Sequence, residues 1–122
     1  MARITLVDDD EQVRAVLGLA LRESGHDVLE ARDGRDALKL LRAGPADLLI
    51  TDIFLPERDG IELIMTMRRE QPELKIIAMS GGGVFRQVEP LQTAEALGAF
   101  ATLEKPVNVN WLLGVVEKAL AA

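Results

Sequence analysis

The sequence predicts an α/β fold built on a doubly wound, five-stranded parallel sheet. Three observations carry that prediction. Short β-prone runs alternate with amphipathic segments along the whole chain. The central run, Asp47-Leu48-Leu49-Ile50-Thr51, is nearly all apolar, as expected of a strand covered on both faces. The junctions between runs carry Gly, Pro, Asp and Asn, the residues that start and stop helices.

The elements follow in order. Ile4 to Val7 is the first strand, and Val13, Val16, Leu17, Ala20 and Leu21 then recur at helical spacing until Ser24-Gly25. His26 to Ala31 is the second strand, with no catalytic role expected for His26. Asp33-Gly34 turns the chain into a helix with Ala37, Leu38 and Leu41 on one stripe, broken by Gly44-Pro45. After the third strand, a loop through Pro56 and Gly60 leads to a helix carrying Ile61, Ile64 and Met67, with Arg68-Arg69-Glu70 as a solvated end. Lys75 to Met79 is the fourth strand. Gly81-Gly82-Gly83 opens a long loop, and a helix starts near Pro90, a residue favoured at the first helical position. Gly98 ends it. Ala99 to Leu103 is the fifth strand, and Asn108 caps a last helix whose Leu112, Val116 and Leu120 face inward. Alternation of this kind implies right-handed crossovers with helices on both faces.

Size and composition set limits. The 122 residues suit one domain, expected to span 1–122, and a chain of this size buries roughly two thirds of its unfolded surface. There is no cysteine and one histidine, which excludes a disulfide framework and a His-rich or thiolate zinc site. A net charge of −6 argues against direct nucleic-acid binding, which needs clustered Lys and Arg. Neither a signal peptide nor an apolar run near the roughly 20 residues of a membrane span is visible. The expectation is a soluble, cytoplasmic protein without membrane contact. The pattern stops with the fifth helix, so no fused output domain is expected.

In open α/β sheets, ligands sit beyond the carboxyl ends of the strands, where the strand order reverses. Those positions hold Asp8, Asp9 and Asp10 after the first strand, Asp52 after the third, Ser80 after the fourth, and Glu104 and Lys105 after the fifth. With strand order 2-1-3-4-5, the first and third strands are neighbours and Asp8, Asp9 and Asp52 converge. Packed carboxylates repel unless a cation intervenes, and hard oxygen ligands with room for water suit Mg²⁺. Lys105 and Ser80 add one positive charge and one hydroxyl. Such a set fits phosphoryl transfer, where catalysis is mostly positioning and charge neutralisation. Each group alone has a plainer reading: the aspartate run as a helix start favoured by the helix dipole, Lys105 as a surface lysine. Asp52 at the end of a buried strand is harder to set aside, because buried charge is costly unless paired. Pro106 keeps Lys105 extended. Their coincidence at the same strand ends is the signal.

Val7-Asp8-Asp9, Asp52 with Leu55-Pro56 and Gly60, Ser80, and Lys105-Pro106, in this order and spacing, resemble the response-regulator receiver domain, the CheY-like family with a flavodoxin-like (βα)5 fold. The resemblance covers essentially the whole chain. It implies that Asp52 is the phospho-acceptor, forming an acyl phosphate. It implies that Asp9 and Asp52 bind Mg²⁺ directly, that Phe54 adds its backbone carbonyl, and that Asp8 acts through a water. Lys105 would pair first with Asp52 and later with a phosphoryl oxygen. Ser80 would hydrogen-bond another phosphoryl oxygen and draw its loop inward. The Lys105-Pro106 peptide would be cis, an uncommon commitment. The implied donor is a phosphohistidine on a histidine kinase or histidine phosphotransfer protein, with small acyl phosphates as substitutes. The implied docking face for a downstream protein, and for a homodimer, is the fourth helix, fifth strand and fifth helix.

The sequence departs from the family pattern twice. Receivers often carry Tyr or Phe three residues before the lysine as a switch, and here that position is Thr102. Phe100 shares the strand face of Thr102, although ordinary packing is its plainer reading. The second departure is the long Gly81-Gly82-Gly83-Val84-Phe85-Arg86 stretch, whose mobility offers a replacement switch beside Ser80. Trp111 is either a partner anchor or a packing residue.

Rival readings differ in class. A haloacid-dehalogenase-like phosphatase or phosphotransferase would carry a second Asp two residues after the nucleophile, and here that position is Phe54. A flavodoxin-like binding module lacks support, because neither a Walker loop nor a G-x-G-x-x-G turn follows the first strand. A receiver acting as a phosphate sink is not separated from a partner-docking switch. The leading expectation is a signalling domain, with at most slow self-catalysed phosphorylation and dephosphorylation.

Overall fold

The computed structural model describes residues 2–55, 59–81 and 97–122. Among them, five parallel strands form one sheet: β1 (Arg3–Val7), β2 (Asp27–Ala31), β3 (Leu48–Asp52), β4 (Lys75–Gly81) and β5 (Ala101–Lys105). Their order is β2-β1-β3-β4-β5, as the sequence predicts. Four helices are described: α1 (Glu11–Glu23), α2 (Gly34–Ala43), α3 (Asp59–Glu70) and α4 (Val109–Ala121). The helix expected from Pro90 lies outside the described residues, as do Pro56 to Arg58 and Gly82 to Arg86 of the expected loops. The fifth helix of the sequence pattern is therefore α4.

β3 shows why the sheet must be covered twice. Successive strand side chains point to opposite faces. Leu48 and Ile50 pack with Leu17, Leu21, Leu112 and Val116 of α1 and α4. Leu49 packs on the other face with Leu41, Ile64 and Met67 of α2 and α3. Leu48, Leu49 and Ile50 are all 0% exposed; burying each contributes roughly 2 kcal/mol.

Short polar side chains set the helix starts. Asp10 accepts from the Gln12 and Val13 amides at 2.9 and 3.3 Å. Asp33 caps α2 through Asp36 N at 2.8 Å, and Asn108 caps α4 through Trp111 N at 3.0 Å. α1 ends at Ser24, followed by Gly25 at φ +94°, a conformation that favours glycine. Among the described residues no helix is long and apolar enough to cross a membrane.

The structure corrects several local expectations. β3 runs Leu48–Asp52, one residue later than expected, and β5 is Ala101–Lys105, two residues later. β4 continues through Ser80 to Gly81, so Gly81 ends the strand and pairs with Lys105 instead of opening the loop. Asp52, Ser80 and Lys105 thus lie in the last rungs of the ladder, because backbone pairing continues after the apolar side chains stop. Val16 points outward, 57% exposed, while Leu17, Gly18 and Leu21 form the buried face of α1. His26 precedes β2, and its Nδ1 accepts from Ala2 N at 3.4 Å. Arg68 and Glu70 are not simply solvated: Arg68 Nη1 donates to Leu74 O at 3.0 Å, and Glu70 accepts from Arg42 Nε of α2 at 3.0 Å.

Candidate functional site

Pleat parity brings the strand-end groups together. Leu48 and Ile50 belong to the core under α1 and α4, so Asp52 shares their side of β3. Leu103 and Ala101 pack into the same core, which sets Lys105 on that side of β5. Asp8 continues β1 from Ile4 and Leu6, also in that core. The aspartate run divides by role: Asp10 caps α1, while Asp8 and Asp9 remain at the strand end.

The Lys105 Nζ lies 2.5 Å from Asp8 Oδ2 and 2.8 Å from Asp52 Oδ2. Asp8 is 0% exposed and Asp52 only 5%. The remaining oxygens are also engaged: Asp8 Oδ1 accepts from Asp10 N at 2.9 Å, and Asp52 Oδ1 from Phe54 N at 3.0 Å. One carboxylate oxygen each from Asp8, Asp9 and Asp52 lie within 4.8 Å of one another. Asp9 is exposed and opens the cluster to solvent.

Three carboxylates against one ammonium leave the cluster with excess negative charge. Burial raises the Asp52 carboxyl above the usual carboxylate range; Lys105 and the Phe54 amide pull it down, and the Asp8 charge pushes it up again. Burial pulls the Lys105 ammonium down, but hydrogen bonds to Asp52 and Asp8, with their charges, outweigh it and leave the group raised. Hard oxygen donors, net negative charge and one open side fit a divalent ion that keeps several waters.

The other expected residues are less tightly drawn in. Ser80 is buried, and its hydroxyl donates to Gly81 O at 3.3 Å. The Phe54 side chain is exposed. The Lys105-Pro106 peptide is cis. Thr102 is half-buried and pairs with Ala78. Phe100 sits at the opposite end of the sheet from Ser80: its amide donates to Ile76 O, whereas Ser80 is level with Glu104. Four strand residues span about 13 Å, so Phe100 does not reach Ser80 by turning its side chain. Its ring instead lies 5.9 Å from Lys75 Nζ.

Comparison with known proteins shows the family of the chain. The family model described as the response regulator receiver domain covers residues 4–117. The chain belongs to the response regulator receiver family. It is 36% identical over 119 residues to the DNA-binding transcriptional regulator NtrC of Azospirillum brasilense, covering 98% of this chain and 24% of that protein. It spans about a quarter of the length of the NtrC-type relatives it matches. It is also 36% identical to the response regulator receiver protein CpdR of Brucella abortus, over 100% of this chain and 99% of that one. The crystal structure of a CheY-like receiver domain protein from Methanospirillum hungatei superposes with TM-score 0.90 at 28% identity, covering 99% of this chain and 94% of the other.

One group of this receiver went unread in the sequence, and a second was read only as part of a motif. Arg14, 16% exposed, donates from Nη1 to the Asp8 carbonyl oxygen at 2.6 Å. Gly60 lies within α3 and not in the loop before it, packed against the backbone of Asp52 and Ile53. Gly60 was noted only as part of a motif. For Arg14 the available signal was its recurrence with Gly18 and Arg22 at intervals of four.

Proposed function

We propose that this receiver accepts a phosphoryl group on Asp52 and signals through its surface. The observation supporting this most directly is that the Asp8, Asp9 and Asp52 carboxylates meet within 4.8 Å while Lys105 Nζ stands 2.8 Å from Asp52. An Asp52 oxygen attacks the phosphorus of a phosphohistidine. The new O–P bond forms, the N–P bond breaks, and the imidazole leaves with the electron pair, giving an acyl phosphate. Asp9, Asp52 and the Phe54 carbonyl are the proposed direct ligands of Mg²⁺, with Asp8 acting through a water. When bound, the ion supplies neutralising charge at the phosphoryl oxygens. Lys105 passes one of its hydrogen bonds from the carboxylates to a phosphoryl oxygen. Ser80 turns its hydroxyl from Gly81 O to another.

The donor in this reading is a histidine kinase or histidine phosphotransfer protein, and the setting is cytoplasmic. Similarity along almost the full length of CpdR supports reading residues 1–122 as one receiver domain. Its output in this reading is docking of a partner at the face that includes β5 and α4. Phe54 cannot transfer a proton from the position where a haloacid-dehalogenase-like enzyme carries its second Asp, which supports a signalling domain with at most slow hydrolysis of the acyl phosphate.

Mass spectrometry after incubation with acetyl phosphate tests this. Wild type should gain one phosphoryl group only with Mg²⁺, and Asp52→Asn should gain none. An adduct persisting in the variant moves the acceptor elsewhere, and steady multiple turnover favours an enzyme.

A further inference from the structure

Residues four apart on a helix share one face. On α1 these are Arg14, Gly18 and Arg22, and Glu30 of β2 lies across them. Glu30 Oε1 is 3.6 Å from Arg14 Nε, and Oε2 is 2.9 Å from Arg22 Nη1. A β-carbon on Gly18 would stand 3.1 Å from both Glu30 Oε2 and Arg22 Nη1. Glycine is a weak helix former, yet here its missing side chain leaves space for the ion pair. Arg22 is further anchored by donating from Nη2 to Val28 O at 3.0 Å.

This bridge ends at the acidic cluster. Arg14 Nη1 donates to the Asp8 carbonyl oxygen at 2.6 Å. That carbonyl belongs to the peptide joining Asp8 to Asp9, which sets the direction in which Asp9 leaves the strand. The Asp8 amide donates to Ala31 O at 3.2 Å, so β2 holds the amide of Asp8 and Arg14 its carbonyl. Lys105 and Asp10 N already hold the Asp8 carboxylate. Among the described residues no hydrogen bond or ion pair holds the exposed Asp9 carboxylate, so its backbone sets its placement.

We propose that Arg14, aligned by Glu30 and Arg22 across Gly18, is a positioning residue for the divalent-ion site: it fixes the Asp8–Asp9 peptide so that Asp9 stays with Asp8 and Asp52. The inference rests on the Mg²⁺-dependent reading of the cluster. Arg14 touches neither the ion nor the phosphoryl group in this role. Its planar fork suits the simultaneous grip on a carbonyl and a carboxylate, which a lysine ammonium cannot reproduce.

Calorimetric titration of the full chain with Mg²⁺ tests it, for wild type, Arg14→Met, Arg14→Lys and Glu30→Gln, each with a urea curve in EDTA. Arg14→Met should weaken Mg²⁺ about ten- to a hundredfold, the usual effect of removing a group that orients a ligand. Arg14→Lys should recover part of the loss. Glu30→Gln, at the sheet edge, keeps the fold and should weaken Mg²⁺ severalfold. The rate of Asp52 phosphorylation by acetyl phosphate in Arg14→Met should return toward wild type as Mg²⁺ is raised. Folded Arg14→Met and Glu30→Gln with the Mg²⁺ affinity of wild type would overturn the proposal. An affinity loss explained by the unfolded fraction in EDTA would also overturn it. If wild type itself binds no Mg²⁺, the metal-dependent reading of Asp52 falls, and this inference with it.

Discussion

Gly60 lies so close to Asp52 that a β-carbon on it would overlap the Asp52 carbonyl oxygen. It would overlap the Ile53 carbonyl oxygen as well and stand 2.6 Å from the Ile53 carbonyl carbon. The opposing atoms are backbone, so they cannot swing aside as a flexible side chain would. Gly60→Ala must move the junction between β3 and α3, which carries Asp52 and Phe54. The expected cost is about 1–3 kcal/mol, as for overpacking elsewhere, read as a lower urea midpoint. Formation of the Asp52 adduct should fall more than the loss of folded protein explains. An unchanged midpoint would show that the junction yields freely.

Asp52→Asn should stabilise the metal-free protein. Asp8, Asp9 and Asp52 face one lysine, and Asp52 is nearly buried. Removing its charge leaves Lys105 paired with Asp8, a neutral pair with no surplus carboxylate in the interior. The expected gain is roughly 1 kcal/mol by urea denaturation in EDTA. Mg²⁺ should reverse the ranking. At ten times its dissociation constant it stabilises wild type by about 1.4 kcal/mol, and the variant by less. A variant less stable than wild type in EDTA contradicts the charge argument.

The same surplus gives a signed pH dependence. Asp52 is raised above its ordinary 3.8, chiefly by burial, so the folded state holds its proton more tightly than the unfolded state. Stability from this group is therefore highest at or below 3.8 and declines as pH rises through the raised value. Lys105 is raised above 10.5, where hydrogen bonds to Asp52 and Asp8 outweigh burial. Its contribution is complete below 10.5 and is lost as pH rises through the folded value. The difference in urea stability between wild type and Asp52→Asn isolates the first effect. It should move against wild type from acid toward neutral pH; a difference that stays flat would refute the raised carboxyl.

These tests show which physics the sequence could express. β3 was readable because both faces of Leu48, Leu49 and Ile50 are buried, which demands an unbroken apolar run. Asp8, Asp9, Asp52 and Lys105 were readable because strand ends converge in a parallel sheet regardless of side-chain detail. The ends of β4 and β5 were misplaced because Ser80, Gly81, Glu104 and Lys105 continue the backbone ladder without apolar side chains, which leaves no apolar trace. Val16 recurs at helical spacing with the apolar residues of α1, yet the tighter stripe of Leu17, Gly18 and Leu21 takes the core face. Arg14 and Gly18 gained meaning only when β2 laid Glu30 across them. Such a contact depends on the pairing of distant segments.

Lys105→Met offers the sharpest test of the cluster as a charge-balanced unit. The substitution keeps most of the apolar stem along the core face but removes the only cation bonded to both Asp8 and Asp52 among the described residues. Asp8 is fully buried and cannot recover its solvation without disrupting the end of β1. Removing one partner of a buried pair typically costs about 3–5 kcal/mol; the partial exposure of Lys105, at 20%, points to the lower end. Part of that loss should return at low pH, where protonation of Asp52, already raised by burial, removes its repulsion with Asp8. Part should also return on adding Mg²⁺, because a divalent ion neutralises the oxygens that Lys105 has vacated. The Mg²⁺-induced rise in urea midpoint should therefore be larger in Lys105→Met than in wild type. Equal rises would mean that the lysine and the ion do not serve the same carboxylates.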